Sequence, residues 1–131
     1  MTKTNIGRSI FALIALFFIG IGLSLMLAPA LILDHMLVEP VETAAELSSI
    51  RALWGGVTFA VWASVLLGAV KANPDYILVG FIAMPTVIFT RLVGYYVDGA
   101  FPEFVSAVLP AVFVLILMLI AHKLMASSTN K

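Results

Sequence analysis

Four long apolar runs, separated by charged residues, dominate the pattern of this chain. The run at 9–33 carries no charge, and three later runs of 18 to 22 residues carry at most one charge each. A helix needs about 20 mainly apolar residues to cross a bilayer, whereas a membrane β-strand needs about 10 in an alternating pattern, which is not seen here. We therefore predict an all-α integral membrane four-helix bundle, a single transmembrane domain over 1–131, with helices at approximately 9–33, 50–70, 76–97 and 103–123.

The first run also has features of a signal peptide. Lys3 and Arg8 give it a basic start, and the Ala-Pro-Ala segment at 28–30 has the form of a cleavage site. However, the apolar stretch at 10–27 has 18 residues, more than the roughly 7–15 that a signal peptide uses. We therefore favour a span that stays in the mature protein, which N-terminal sequencing would test.

Turn signals lie in the connections between the predicted spans. Asn73-Pro74 favours turn initiation, and Gly99 is free to take positive φ in the connection after the third helix. In the longer connection before the second span we expect a short helix, which starts near Pro40 and leads through Glu46 into that span.

The composition agrees with a membrane protein and excludes several other classes. The chain is 63% hydrophobic and only 11% charged, whereas a soluble domain has about 25% charged residues. A net charge of zero without a basic stripe argues against a nucleic-acid partner. Because the chain has no cysteine, it has no disulfides, thiolate metal sites or thiol nucleophiles.

Basic residues are unequally shared between the two ends of the predicted bundle. Four spans place both termini and the loop after the second helix on one side, and short cytoplasmic loops are enriched in Lys and Arg. We therefore predict cytoplasmic termini in a multi-pass protein of the cell inner membrane, with an acidic outer face. The side with the termini carries Lys3, Arg8, Lys71, Lys123 and Lys131, and the other side carries Arg51 and Arg91.

Small residues recur every four positions along the second predicted helix. Close backbone approach drives helix association in lipid, so we predict that this ridge seats the helix against a neighbour within the monomer. A seam between two copies in a homo-oligomer is the alternative. The ridge consists of Ala52, Gly56, Ala60, Ser64, Gly68 and Ala72.

Arg91 is the most informative single residue, because it lies inside the third apolar run. It precedes Asp98 by seven residues, which places it roughly 10 Å below the outer end of a helix. An arginine at the centre of a membrane helix costs about 2.5–3.5 kcal/mol on insertion scales. Gly94, Tyr95 and Asp98 share its helical face, and we expect Arg91 to find its partners inside the protein.

The charged residues near the outer mouth form a candidate ligand-binding site. Arg51 opens the second helix, and Trp54 lies one turn further in. Two alternatives remain open. The arginines and neighbouring acids form a structural ion-pair lock, which we favour, or they bind an anionic headgroup, a carboxylate or a quinone carbonyl. The candidate residues are Arg51, Arg91, Tyr95, Asp98, Glu46 and Trp54, with Gly55, Gly56, Gly94 and Gly99 as structural glycines.

Other chemistry has little support in the chain. His35 and His122 lie at opposite ends of the predicted bundle, so they cannot share a metal. Glu42 and Glu46 have a spacing that metal sites also use, but with no histidine nearby a solvated face is the better interpretation. No phosphate-binding loop or hydrolase motif is found. We expect no catalytic residue, no metal, and no cofactor other than a quinone or lipid.

Two segments resemble a known family of small bacterial membrane proteins. They are Ile-Arg-Ala-Leu-Trp-Gly-Gly at 50–56 and Arg-Leu-Val-Gly-Tyr-Tyr-Val-Asp-Gly at 91–99. With the four-span layout they resemble the family catalogued as domain of unknown function 4345, and more loosely the DoxX-like membrane proteins. The resemblance implies a four-helix bundle and no established activity. Its matching positions are Arg51, Gly55, Gly56, Arg91, Gly94, Asp98 and Gly99.

These observations leave three hypotheses about function. The first is a non-enzymatic membrane protein that binds a lipophilic or anionic small molecule near the outer mouth of the bundle. The second is a membrane enzyme acting on a quinone or lipid, with Asp98 or Glu46 as acid/base and Arg91 as electrostatic stabiliser. The third is a subunit or assembly factor of a larger membrane complex. The expected partners are the lipid bilayer and either another membrane protein or further copies of the chain.

Overall fold

The computed structural model describes residues 2–39, 41 and 43–126, and every regular element in them is helical. The long helices are α1 (Lys3–Leu27), α4 (Val57–Lys71), α5 (Pro74–Val97) and α6 (Phe104–Ala126). Between α1 and α4 lie α2 (Ala30–Leu33), a 3₁₀ turn (Asp34–Met36), α3 (Ala44–Ser49) and a π-helical segment (Ile50–Gly56).

Four helices are long and apolar enough to cross a membrane, as the hydropathy pattern predicts. Three are α1, α5 and α6, and the fourth is the continuous helix Ala44–Lys71, which contains α3, the π-helical segment and α4. We refer to this continuous helix as the second helix. The bundle has an N-terminal end, which holds the start of α1, the α4–α5 turn and the end of α6. Its far end holds the two other connections.

The first helix lies six residues earlier than the predicted 9–33. It begins at Lys3, where the Thr2 side chain accepts a hydrogen bond from the Asn5 N–H. It ends at Leu27, because Ala28 leaves the helical conformation in front of Pro29, a position where the proline ring disfavours helix. Charged residues mark where a helix leaves the apolar phase, but caps and prolines decide where its hydrogen bonding stops.

Both predicted turns are present. Asn73 caps α5, its side chain accepting a hydrogen bond from the Asp75 N–H at 2.9 Å, and Pro74 is the first helical residue. After α5, Gly99 takes a φ of 113°, which lies in the region that glycine adopts without steric cost. In the longer connection, the short helix α3 begins after Thr43 and forms the first part of the second helix.

The main core lies where all four long helices meet. α1 packs against the second helix and against α6, and α5 packs against α4 and α6. Trp62, in the middle of α4, is buried and stacks on Phe18 of α1, with ring centroids 4.3 Å apart. Because its buried residues come from all four long helices, the main core joins the α1–α4 pair to the α5–α6 pair.

Buried residues are unevenly distributed along α5. Its buried residues are Ile77, Gly80 and Met84, all in the half next to the N-terminal end. Beyond Pro85, no residue of α5 is buried. A second, smaller apolar cluster closes the far end beside α1, where Leu25, Leu33 and Ile50 are buried. Beyond Pro85, α5 reaches the main core through the partly buried Ile88.

The contact between α1 and the second helix does not follow the predicted four-residue ridge. A Cβ atom added to Gly55 would lie 2.7 Å from the Met26 Cγ, and one added to Gly22 would lie 2.8 Å from the Phe59 backbone nitrogen. On the Cβ side of Gly56, by contrast, the nearest atom is the Arg51 oxygen at 3.8 Å, and Ala52 and Ala60 of the ridge are exposed. Ser64 and Gly68 of the ridge do lie against α5: the Ser64 hydroxyl donates to the Tyr76 oxygen at 3.2 Å, and a Cβ atom on Gly68 would lie 2.6 Å from the Ile77 Cγ1. The π-helical segment explains the shift, because its i→i+5 hydrogen bonds change which residues face a neighbour.

Candidate functional site

Arg51 lies at the far end and holds the end of α1. Its Nη1 donates hydrogen bonds to the backbone oxygens of Met26 and Leu27, the latter at 3.0 Å. These carbonyls belong to the last turn of α1, where a helix leaves its acceptors unsatisfied and carries partial negative charge. Arg51 therefore acts as a side-chain cap on a neighbouring helix.

Arg8 makes the equivalent contact at the opposite end of the same helix pair. Its Nε donates to the Ala69 oxygen at 2.7 Å, and its Nη2 donates to the Val70 oxygen at 2.6 Å. From the sequence, Arg8 marks only the edge of the first apolar run. The signal that would have identified its role is its place in the second turn of a helix, opposite the C-terminus of an antiparallel neighbour.

Glu46 and Trp54 line one groove at the far end. Glu46 accepts a hydrogen bond from the Thr43 hydroxyl, and its own N–H donates to the Thr43 Oγ1 at 3.3 Å, so Thr43 caps the start of α3. Trp54 is 41% exposed. The groove has a volume of about 430 Å³, and its lining is mainly apolar: Val38, Val41, Ala45, Glu46, Ser49, Ile50, Leu53 and Trp54.

Arg91 differs from the other two arginines. It lies half-buried in the far-end half of α5, and neither a hydrogen bond nor an ion pair joins it to any residue that the structure describes. The expected internal partner is therefore not found within these residues. The predicted ion-pair lock is not formed there either, since Arg51 binds backbone carbonyls; Glu42 lies outside the described residues.

Tyr95 and Asp98 occupy the end of α5. The Tyr95 ring lies 4.4 Å from the Phe104 ring of α6, centroid to centroid. Asp98 is exposed, and its backbone N–H closes the helix on the Gly94 oxygen at 2.8 Å. A Cβ atom on Gly94 would lie 3.6 Å from the Asp98 Oδ2, which is an ordinary contact, so this glycine is not required by packing.

The candidate residues thus lie in two groups on different elements. Arg51 and Trp54 belong to the π-helical segment, which packs against α1, and Glu46 belongs to α3 just before it, while α5 packs against α4 and α6. In the part of the chain that the structure describes, no hydrogen bond, ion pair or ring contact joins this group to Arg91 or Tyr95.

The two histidines lie at opposite ends of the bundle. His35 is in the 3₁₀ turn at the far end, and His122 lies in α6 near the N-terminal end, its ring edge-on to Phe81 at 5.6 Å. Within residues 2–39, 41 and 43–126, no group of three or more His, Cys, Asp or Glu side chains is placed to hold a metal ion.

Comparison with known proteins identifies no relative. No protein-family model, no curated protein sequence and no solved structure matches the chain. The resemblance of the segments 50–56 and 91–99 to domain of unknown function 4345 therefore stays a prediction, and the site has to be interpreted from its own chemistry.

Proposed function

We propose that this protein binds an anionic amphiphile in the membrane, with Arg91 as the group that receives its carboxylate. The observation that carries the proposal is the contrast among the arginines. Arg8 and Arg51 both donate to backbone carbonyls, whereas Arg91 donates to no described residue although it lies within a membrane-spanning helix. A guanidinium in that position is stabilised most by a partner that brings its own negative charge.

A negatively charged ligand would lower the free-energy cost of Arg91 inside a membrane helix. An arginine costs about 2.5–3.5 kcal/mol at the centre of a membrane helix, and less toward the interface. Arg91 lies roughly 10 Å from the end of α5, so its guanidinium reaches the level at which an amphiphile changes from polar head to apolar chain. A planar guanidinium binds a carboxylate through two parallel hydrogen bonds.

The surroundings of Arg91 suit a long-chain carboxylate. The α5 surface beyond Pro85 has no buried residue, and it exposes the apolar side chain of Val87 one turn from Arg91 on the same helical face. An acyl chain can lie along such a surface without opening the packed core, while its head reaches Arg91. The ligand class is therefore a single-chain carboxylic acid.

Thermal unfolding in a neutral detergent tests this proposal, with palmitate as the probe and methyl palmitate as its uncharged match. We expect palmitate to raise the unfolding temperature of the wild-type protein and to leave Arg91→Leu unchanged. A ligand at 100 times its Kd stabilises the folded state by about 2.7 kcal/mol, which such a scan detects. Methyl palmitate has no carboxylate and should have no effect on either protein.

The variant also separates a binding role from a structural one. If Arg91 receives a ligand, Arg91→Leu without palmitate is at least as stable as wild type, because it removes a costly charge. If Arg91 instead holds the fold together, the same variant is destabilised. Arg51→Leu is the matched control: it should lose stability through its cap on α1 but keep the response to palmitate. An equal palmitate response in wild type and Arg91→Leu would refute the proposal.

The proposal also includes an orientation of the protein in the membrane. We place the protein in a cytoplasmic membrane with both termini inside and Arg91 in the outer half. Five basic residues lie on the side of the termini and two on the other, and this distribution supports the assignment. The ligand would then enter from the outer leaflet.

A further inference from the structure

A second polar feature lies at the N-terminal end, in a groove between α1 and α4. The groove has a volume of about 320 Å³ and is lined by Asn5, Arg8, Ser9, Ala12, Ala69 and Val70. The four lining residues of α1 fall on one helical face, by their i, i+3, i+4 and i+7 spacing. The groove is therefore polar toward the start of α1 and apolar one turn further into the bundle.

Hydrogen bonds hold the Arg8 guanidinium in a fixed position in this groove. Two hydrogen bonds from Arg8 to the last turn of α4 use its Nε and Nη2, while its Nη1 donates to no described residue. The side chains of Asn5 and Ser9, which line the groove beside Arg8, also donate to no described residue. Three side chains with hydrogen-bond donors to spare thus border one groove, and their common complement is an anion with several oxygen acceptors.

The position of the groove identifies what kind of anion fits. It lies at the end of α4, where Lys71 follows Val70 and its Nζ lies 5.5 Å from the centroid of the Tyr76 ring. Lysine and tyrosine at the end of a membrane-spanning helix are typical of the headgroup region. An anion bound here has apolar surface beneath it at Ala12, one turn further into the bundle, and beside it at Ala69 and Val70.

From this arrangement we propose that the groove is a binding site for the headgroup of an anionic phospholipid. Arg8, Asn5 and Ser9 donate to the phosphodiester oxygens, and the acyl chains lie against α1 and α4. Arg8 in the groove and Lys71, next to the lining residue Val70, disfavour a headgroup that carries its own ammonium group. The site thus prefers phosphatidylglycerol to phosphatidylcholine. It is independent of Arg91, which lies in the other half of the bundle.

Native mass spectrometry from mild detergent tests this site, with phosphatidylglycerol and phosphatidylcholine offered in equal amounts. Arg8 itself is left unchanged, because it caps α4. Ser9→Asp places a carboxylate in the groove instead. Ala72→Asp is the matched control, since it adds the same charge at the same end, outside the lining, at an exposed position whose φ of 53° aspartate tolerates.

We expect wild type and Ala72→Asp to retain phosphatidylglycerol in preference, and Ser9→Asp to lose about fivefold of that preference, the effect of roughly one surface cation. An equal loss in both variants would show a general charge effect, and no preference in wild type would remove the site. Displacement of the lipid by millimolar inorganic phosphate would also overturn the proposal, because it would show a phosphate site rather than a lipid site. The preference should persist in Arg91→Leu, so the result does not depend on the Arg91 proposal.

Discussion

Arg8 and Arg51 make the same contact in opposite directions. Arg8, near the start of α1, donates to the carbonyls of Ala69 and Val70 at the end of α4. Arg51, in the second helix, donates to the carbonyls of Met26 and Leu27 at the end of α1. Because the two helices run antiparallel, each supplies the cap for the other, and the pair is joined at both ends.

Removing either arginine should destabilise the bundle. We expect Arg8→Ala and Arg51→Ala each to lower the free energy of unfolding by about 1–2 kcal/mol, since each loses charge-assisted hydrogen bonds and a favourable helix-dipole interaction. Denaturant unfolding in detergent measures the change. Lys3→Ala is the control, because it removes a positive charge from the same end as Arg8 without removing one of these caps.

The two losses should add in the double variant, because the sites lie at opposite ends of the pair and share no partner. A loss for Lys3→Ala as large as that for Arg8→Ala would mean that net charge, rather than capping, accounts for the effect.

Close packing of α1 on the second helix gives a second prediction. Gly55→Ala and Gly22→Ala should each cost about 1–3 kcal/mol, because the new Cβ atoms meet Met26 and backbone atoms of Phe59 at under 3.0 Å. Gly20→Ala, with open space at the Cβ position, and Gly56→Ala, whose nearest atom is the Arg51 oxygen at 3.8 Å, are matched controls. They should be neutral or slightly stabilising, since alanine is the better helix former. If all four variants lost the same stability, the Gly22–Gly55 contact would not be the seam.

The two tryptophans should behave very differently. Trp62 is 3% exposed and stacks on Phe18, while Trp54 is 41% exposed. We expect Trp62→Ala to cost about 3–5 kcal/mol, and Trp54→Ala to cost well under half as much. Trp62→Phe keeps most of the apolar volume and should recover part of the loss.

Fluorescence gives an independent measurement of the same difference. The chain has only these two tryptophans, so each single variant reports on the other. A water-soluble quencher should reduce the emission of Trp54 in Trp62→Phe more than that of Trp62 in Trp54→Phe. Equal quenching would contradict the buried stack.

The four long apolar helices and the two turns could be predicted from the sequence because they depend on local properties. Apolar length set the spans, and the residue pairs Asn73-Pro74 and Asp98-Gly99 set the turns. The caps made by Arg8 and Arg51 could not be predicted in this way. They depend on which helix ends lie side by side, and hydropathy does not report the neighbours of a helix.

The predicted ridge was misplaced near its start for a related reason, whereas its residues Ser64 and Gly68 do face α5. Counting every fourth residue assumes α-helical phase from Ala52 to Ala72, but the segment Ile50–Gly56 is π-helical. Gly55, one residue away from the ridge, therefore faces α1 in place of Gly56. The candidate site was affected by the same kind of error. Arg51 and Arg91 both lie in the far-end half of the bundle, but they do not pair, since their elements pack on different neighbours.

The orientation can be tested with single cysteines, because the natural chain has none. Ala100 lies exposed in the α5–α6 connection at the far end, and Ala126 lies exposed at the end of α6. If both termini are cytoplasmic, a membrane-impermeant maleimide added to intact cells should label Ala100→Cys and not Ala126→Cys. After permeabilisation both variants should react, which shows that each cysteine is accessible. Labelling of Ala126→Cys alone in intact cells would show the opposite orientation, with Arg91 in the cytoplasmic half. The ligand of Arg91 would then have to come from the inner leaflet.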